Sequence, residues 1–438
     1  MRNIATAVKL SKQRYGVWSQ FLDGIGTFFS GKCREISKIS EFCRVIKHAA
    51  VEKRWEVLME SFQSVNKILI GDQHIAELFR GAGKVFVVCD PFIVQSDTIR
   101  YVTDELEQLK IQYEVFSEIK PDPGTELIAK GISKIRDIGP DMVVAFGGGS
   151  AIDAGKAMVY FAKLQKYMED CIFVAIPTTS GTGSEVTKFS VITDTEKSIK
   201  YPLIDDSILP DYAVLDAHLT LTVPPAITAD TGMDVLTHAI EALVSVDAND
   251  FTDAAAEKAI KLVRSNLMKA YKEPDNLEAR QAMHNASCLA GLAFSNAGLG
   301  LNHGMAHALG AHFHIPHGRA NAVLLPYVIA YNAGCFDHLT DVAKSYAKIA
   351  RLIHVDASSI RQSGLNLIRT VKTFIEKLCI PSTIQGLGIE KEAFLAALPD
   401  MVEAAVNDSC TGTNPRACSR EDIERVYLHA YSGKMSTR

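Results

Sequence analysis

Asp234 and His238 stand four residues apart in TGMDVLTHAIEA, so a helix would set a carboxylate and an imidazole on one face. His303 and His307 repeat that spacing in GLGLNHGMAHALGAHFHIPHG, which also carries His312, His314 and His317. Imidazole is costly to desolvate unless its ring nitrogens find partners, and most neighbours here are apolar or glycine. Either these are satisfied core histidines, or several of them meet at a metal ion. Pro316 should break the helix just before His317. A carboxylate with neutral imidazoles suits Fe(II) or Zn(II) better than Ca(II), which prefers oxygen ligands. Neither segment holds a cysteine, which argues against a thiolate-rich structural zinc site. Spacing by itself does not choose among the five histidines. Glu241, three residues beyond His238, is a candidate to support that imidazole from behind.

Two further stretches suit a nucleotide. AFGGGSAIDAGKA, Ala145–Ala157, follows an apolar run and opens a helical pattern. Gly147, Gly148 and Gly149 would let backbone amides approach a phosphate, with Ser150 as helix cap and Asp153 at the capping-box position. A tight, well-capped strand-to-helix turn would read the same way. PTTSGTGSEVT, Pro177–Thr187, adds a hydroxyl-rich loop at a second strand end. Asp90 ends KVFVVCD, where a carboxylate can accept from an adenosine ribose and repel a 2′-phosphate, favouring NAD over NADP.

Positioning these groups requires two kinds of scaffold. From about Ser61 to Leu221, NKILIGD, KVFVVCD, IQYEVFS, DMVVAFGG and CIFVAIPT are short apolar runs that alternate with helical stretches. That alternation predicts an α/β domain, a parallel sheet with helices on both faces, over residues 61–221. SVITD and YAVLDA are expected to add strands near an edge. Beyond PPAIT at 224–228, Ala and Leu at helical spacing replace the Val and Ile runs, predicting an α-helical domain over 222–438. The fold class expected is therefore a parallel-sheet dinucleotide-binding domain followed by an all-helical, metal-binding domain. A ligand belongs in the cleft between them, beyond the carboxyl ends of the strands.

The 438-residue chain has a net charge of -5, which argues against a dedicated nucleic-acid binder. Its nine cysteines form no CxxC pair and read as reduced thiols of a cytoplasmic protein. No apolar run is long enough to span a bilayer. Residues 1–60 are net basic, and Ile39, Phe42, Ile46, Ala49 and Ala50 fall at helical spacing. This extension reads as an amphipathic appendage: a helix packed on its own domain, a docking helix for a partner shell, or a targeting sequence.

FGGGSAIDAGKA, IPTTSGTGSE, TGMDVLTHAIEA and GLNHGMAHALGAHFHIPHG, in this order, resemble the iron-dependent (group III) alcohol dehydrogenases. The resemblance runs from about Ser61 to the C-terminus and includes TNPR at 413–416. IKYPL at 199–203 and the stretch from TGMD to DFTDAAAEKAIKLV are most similar to the branch of 1-propanol dehydrogenases from propanediol-utilisation microcompartments, with ethanolamine-associated members next. The resemblance implies metal ligands at Asp234, His238, His303 and His317, and a further active-site histidine at His307, the candidate proton relay. His312 and His314 match no ligand position. Implied cofactor contacts are Asp90, Gly148, Gly149, Ser150, Asp153, Thr178, Thr179, Thr182, Thr187, Lys200 and Leu219. Asp122 stands where the family often has Asn in an Asn-Pro-Thr turn.

The implied activity is reduction of short-chain aldehydes, propanal or acetaldehyde, by NADH, and its reverse, with Fe(II) or Zn(II) as Lewis acid. A homodimer or larger homo-oligomer, and a microcompartment shell or cargo partner, are the implied assemblies. The rival readings are a hydroxyacid–oxoacid transhydrogenase, a polyol dehydrogenase of the same plan, and a shell-docking scaffold acting through residues 1–60.

Overall fold

The computed structural model describes residues 61–71, 75–168, 170–194 and 199–435. The amphipathic reading of residues 39–50 lies outside them. From Phe62 onward the chain gathers into one compact unit.

Six short apolar runs form one parallel sheet. They are β1 (Lys67–Ile70), β2 (Lys84–Cys89), β3 (Gln112–Phe116), β4 (Met142–Gly147), β5 (Ile172–Pro177) and β8 (Tyr212–Leu215), in the order β1-β8-β5-β4-β2-β3. The middle strands are apolar without alternation: MVVAFG in β4 is buried at every position. Such runs need cover on both faces. The helices between strands supply it: α1 (Ile75–Phe79), α2 (Pro91–Gln95), α3 (Arg100–Gln108), α4 (Thr125–Ile138) and α5 (Gly149–Leu164). The edge strands β1 and β3 carry exposed and half-buried residues instead, apart from the buried Phe116.

One strand expectation holds and one is corrected. YAVLDA forms β8, next to the edge strand β1 and between it and β5. Its AVL is buried, the pattern of an interior strand. SVITD does not join the sheet. As β6 (Phe189–Asp194) it pairs antiparallel with β7 (Ile199–Ile204) in a separate hairpin. Pro202 in β7 has no N–H to give to an interior ladder, which suits a two-stranded ribbon.

The helical part follows as α6 (Pro225–Val244), α7 (Asp250–Lys272), α8 (Leu277–Ala297), α9 (Leu301–Phe313), α10 (His317–Ala333), α11 (Ala343–Leu352), α12 (Ile360–Lys377), α13 (Lys391–Asn407) and α14 (Arg420–Ser432). Their apolar faces share one continuous core. α6 is buried almost throughout, including Asp230, Asp234, Thr237, His238 and Glu241. Burying so many polar groups is costly unless each is partnered, so α6 points to the place where chemistry is concentrated.

Candidate metal and nucleotide site

α6 presents Asp234 and His238 on one face, while α9 and α10 meet it with His303 and His317. Asp234 Oδ1 lies 3.5 Å from His317 Nε2, 3.8 Å from His303 Nε2 and 4.0 Å from His238 Nε2. One ligand atom from each of the four residues lies within 4.8 Å of all the others. Three imidazole nitrogens and a carboxylate oxygen thus converge, a donor set that suits first-row divalent metals. The donor set fits Fe(II) or Zn(II).

Local sequence explains the convergence. Gly298, φ 75°, ends α8, and Gly300 precedes α9 with no side-chain cap. A Cβ on Gly300 would lie 2.7 Å from Glu241 Oε1, so only glycine lets the chain pass this carboxylate. His314 ends α9 in the left-handed region, and Pro316 admits the chain to α10, whose first residue is His317. Asn414, of the TNPR element, accepts from the Leu301 N–H and pins the start of α9.

Glu241 does not support His238. Its Oε2 accepts from His303 Nδ1 and its Oε1 accepts from the Asn302 N–H at 2.7 Å. The expectation from i+3 spacing fails because the two side chains leave α6 toward different neighbours. Instead Glu241 fixes the His303 ring so that Nε2 faces Asp234.

The electrostatics favour a cation. Burial would raise Asp234, but His238, His317 and His303 outweigh it and hold the carboxyl below its ordinary range. Burial lowers His238 to about 4, keeping its imidazole neutral. Desolvation, helped by His307, His303 and His238 and opposed by Asp234, lowers His317 to about 3, although 42% of its side chain remains exposed. Burial also opposes charge on His303, but Glu241 and Asp234 overcome it and raise the group to about 9. The field that attracts a proton there attracts a metal ion as well.

His307 stands beside this cluster. Its ring stacks on His317 with centroids 5.2 Å apart, and its Nδ1 is bonded to Asp408 Oδ2 at 2.8 Å. Burial would raise Asp408, but His307 and the Cys410 N–H hold it at about 2. An ionised Asp408 orients the imidazole and leaves Nε2 for a partner. His312 and His314 are exposed and are not among the four residues that converge.

The nucleotide motifs meet at the carboxyl ends of β2, β4 and β5. Asp90 Oδ1 caps α2 by accepting from the Phe92 and Ile93 N–H groups, and Oδ2 lies against Gly147. A Cβ on Gly149 would lie 2.6 Å from Thr182 Cγ2, so the two turns can touch only through glycine. Gly148 faces Thr179, and the Thr178 N–H donates to the Gly147 carbonyl. The capping expectation for Ser150 is corrected: α5 begins at Gly149, its N-cap is Gly148, and no side chain caps it. An uncapped helix start leaves N–H groups for a phosphate.

Not every expected contact faces that turn. Asp153 accepts from Ser184 Oγ at 2.6 Å and from the Val191 N–H at 3.0 Å. Thr187 Oγ1 accepts from Lys156 Nζ at 2.9 Å. Both brace the loop from within. Lys200 lies on β7 opposite Thr193, and Leu219 is buried against the sheet's core. Asp122 adopts φ 56°, a conformation Asn and Asp tolerate better than most residues.

Residues 66–217 match the iron-containing alcohol dehydrogenase family model, and residues 228–431 match that of the Fe-containing alcohol dehydrogenase family, C-terminal. The chain belongs to the iron-containing alcohol dehydrogenase family. It is 44% identical to the 1-propanol dehydrogenase PduQ of Citrobacter freundii, over 84% of this chain and 99% of that protein. It is 43% identical to an NADPH-dependent butanol dehydrogenase of Clostridium saccharobutylicum, over 75% of this chain and 86% of that one. The crystal structure of a 1,3-propanediol oxidoreductase superposes with a TM-score of 0.79 at 33% identity, covering 85% of this chain and all of that one. The parallel-sheet half followed by a helical half is thus the family's fold.

Sequence reasoning passed over four residues of this family member that now stand beside the site: Lys156, Asn302, Asn321 and Asp408. Lys156 stood inside the quoted AIDAGKA motif, and TNPR marked the vicinity of Asp408. No spacing rule pointed to the two asparagines.

Proposed function

We propose that the chain interconverts short-chain aldehydes and primary alcohols, with NAD(H) as hydride carrier and a divalent ion held by Asp234, His238, His303 and His317. The observation that carries this is the convergence of those four side chains, in a chain whose two halves both match the iron-containing alcohol dehydrogenases. When bound, the ion supplies Lewis acidity to the substrate oxygen and the nicotinamide supplies or accepts hydride. The protein's own residues do the rest. Gly148, Gly149 and Ser150 hold the pyrophosphate at the start of α5, with Thr178, Thr179 and Thr182 on the adjoining loop. Asp90 Oδ2 stands where a 2′-phosphate would be repelled, which supports NAD as the preferred cofactor. His307, oriented by Asp408, gives or takes the proton at Nε2 as alkoxide and alcohol interconvert. The functional division we propose is residues 1–60, 61–221 and 222–438, supported by the gap between the two family matches.

The test is an assay of purified protein with NADH and a series of short-chain aldehydes, in Fe(II)-loaded, Zn(II)-loaded and metal-free samples. Turnover of propanal or acetaldehyde that disappears without metal is expected. Equal turnover in the metal-free sample refutes the assignment. Oxidation of a hydroxyacid that proceeds only with an oxoacid, and without free NADH, would move the chain to the transhydrogenases.

Among the described residues no helix is long and apolar enough to cross a membrane. We further propose a homo-oligomer that works within a bacterial microcompartment. The likeness to the PduQ dehydrogenases supports the compartment, and the edge strand β1, with Ile70 63% accessible, has no strand partner on its outer side among the described residues, an edge that suits a second copy.

A further inference from the structure

Asn321 lies one turn past His317 on α10, and its side chain is fully buried. Its amide nitrogen lies 2.7 Å from Asp234 Oδ1, 3.0 Å from His303 Nε2 and 3.1 Å from His317 Nε2. One amide therefore reaches three of the four atoms that converge at the cluster. The opposite orientation of this amide would aim a carbonyl at lone pairs and a carboxylate, which is repulsive, so the NH₂ must face inward. Two hydrogens serve up to three acceptors, and the shortest contact goes to the carboxylate.

A second amide fixes the first. Asn302 Nδ2 donates to Asn321 Oδ1 at 2.9 Å and to the Asn321 carbonyl at 3.2 Å. Asn302 Oδ1 finds no partner among the described residues. Leaving a buried carbonyl unpaired costs free energy, and the arrangement tolerates that cost to keep the donor on Asn321. The Asn302 backbone N–H is bonded to Glu241, whose other oxygen holds His303. Asp234, Asn321, Asn302, Glu241 and His303 thus form one buried ring of hydrogen bonds across α6, α9 and α10.

We propose that the Asn302–Asn321 pair is the positioning device of the metal site: Asn321 aims the Asp234 carboxylate and keeps the ligand atoms apart in their binding arrangement, and Asn302 locks its orientation. The inference rests on reading the four side chains as a metal site. Three imidazole nitrogens stand 3.5 to 4.0 Å from one carboxylate oxygen, and their lone pairs repel unless something donates among them. Asn321 supplies that donor without adding charge; a bound ion would take over the single lone pair of each imidazole nitrogen, and the amide would keep the second lone pair of Asp234 Oδ1. The pair touches no substrate-facing surface, so its effect belongs to metal binding.

The experiment titrates Co(II) into chelator-stripped full-length protein, followed by the visible d–d absorption and by equilibrium dialysis. Asn321→Ala, Asn302→Ala and the double variant are compared with the unsubstituted chain. Outer partners of metal ligands change affinity about 10- to 100-fold. Asn321→Ala is expected to weaken Co(II) binding within that range and to alter the absorption band. Asn302→Ala, which removes no contact to a ligand atom, should weaken binding in the same direction by less. The double variant should be no weaker than Asn321→Ala, because the two act as a unit. Wild-type affinity and spectrum in either single variant, or a lowered melting temperature with unchanged affinity, overturns the proposal while leaving the metal site standing. Failure of the unsubstituted chain to bind Co(II) removes both. Should Asn321→Ala not fold, the spectrum and affinity of Asn302→Ala decide alone.

Discussion

At the scale of the residue, the site is a set of acceptors waiting for positive charge. Asp234→Ala or His303→Ala is expected to lose metal and turnover together, by more than about 100-fold, beyond the usual effect of outer partners. Metal analysis on the same samples used for kinetics checks this, and full turnover in metal-free variant would refute the Lewis-acid role. His307→Ala is expected to lower turnover by about 100-fold with metal content intact, the low end for a general acid or base. Asp408→Asn should lower it by less, since the ring keeps its place but loses its anionic anchor. Asp90 has a double role that spacing did not reveal. Its Oδ1 caps α2, so Asp90→Gly should relax selectivity toward NADP and also lose some cap stability, whereas Asp90→Ser retains a cap and isolates the charge. The ratio of kcat/KM values for the two cofactors separates the effects.

At the scale of the element, Lys156 joins α5 to the hydroxyl-rich loop. Its Nζ donates to Ser184 Oγ at 3.0 Å, Thr187 Oγ1 at 2.9 Å and the Phe189 carbonyl at 2.8 Å. The two nucleotide turns are therefore braced from within by a buried cation, which burial lowers to about 8. Lys156→Met is expected to raise KM for NADH several-fold while leaving metal content unchanged. Glu185, next to Ser184, is raised by burial from 4.5 to about 7, against the pull of Lys156. Between those two values the folded chain holds a proton that the unfolded chain has released. Stability from Glu185 is therefore full below pH 4.5 and is lost as pH rises toward 7. Glu185→Gln removes that loss, so its stability relative to the parent should increase from pH 5 to pH 8, by up to about 3 kcal/mol. Denaturant melts at the two pH values check the sign, and a difference that shrinks with rising pH contradicts it.

At the scale of the whole molecule, the metal site ties three helices of the helical half, and the nucleotide turns cap the sheet. Metal at 100 times its Kd should stabilise the fold by about 2.7 kcal/mol, seen as a melting temperature that falls on chelation. Removing residues 1–60 is expected to leave turnover unchanged and to abolish co-assembly with shell or cargo. Lost turnover would assign that basic stretch to the enzyme's own fold.

The sequence by itself determined what depends on neighbours along the chain. Unbroken apolar runs such as VVAF in β4 specify strands covered on both faces, and the i, i+4 pair Asp234/His238 specifies one helical face. The glycine turn and the break at Pro316 are likewise local chemistry. Only the tertiary structure decided what depends on groups distant in sequence. It brought His303 and His317 to Asp234 and left His312 and His314 at the surface. It turned Glu241 from His238 to His303, bonded Asp153 to Ser184 and Thr187 to Lys156, and paired β8 with both β1 and β5. Periodicity says which way a side chain leaves its own element. The partner it meets depends on how α6, α9 and α10 pack, which is settled by burial of the whole core rather than by any one motif.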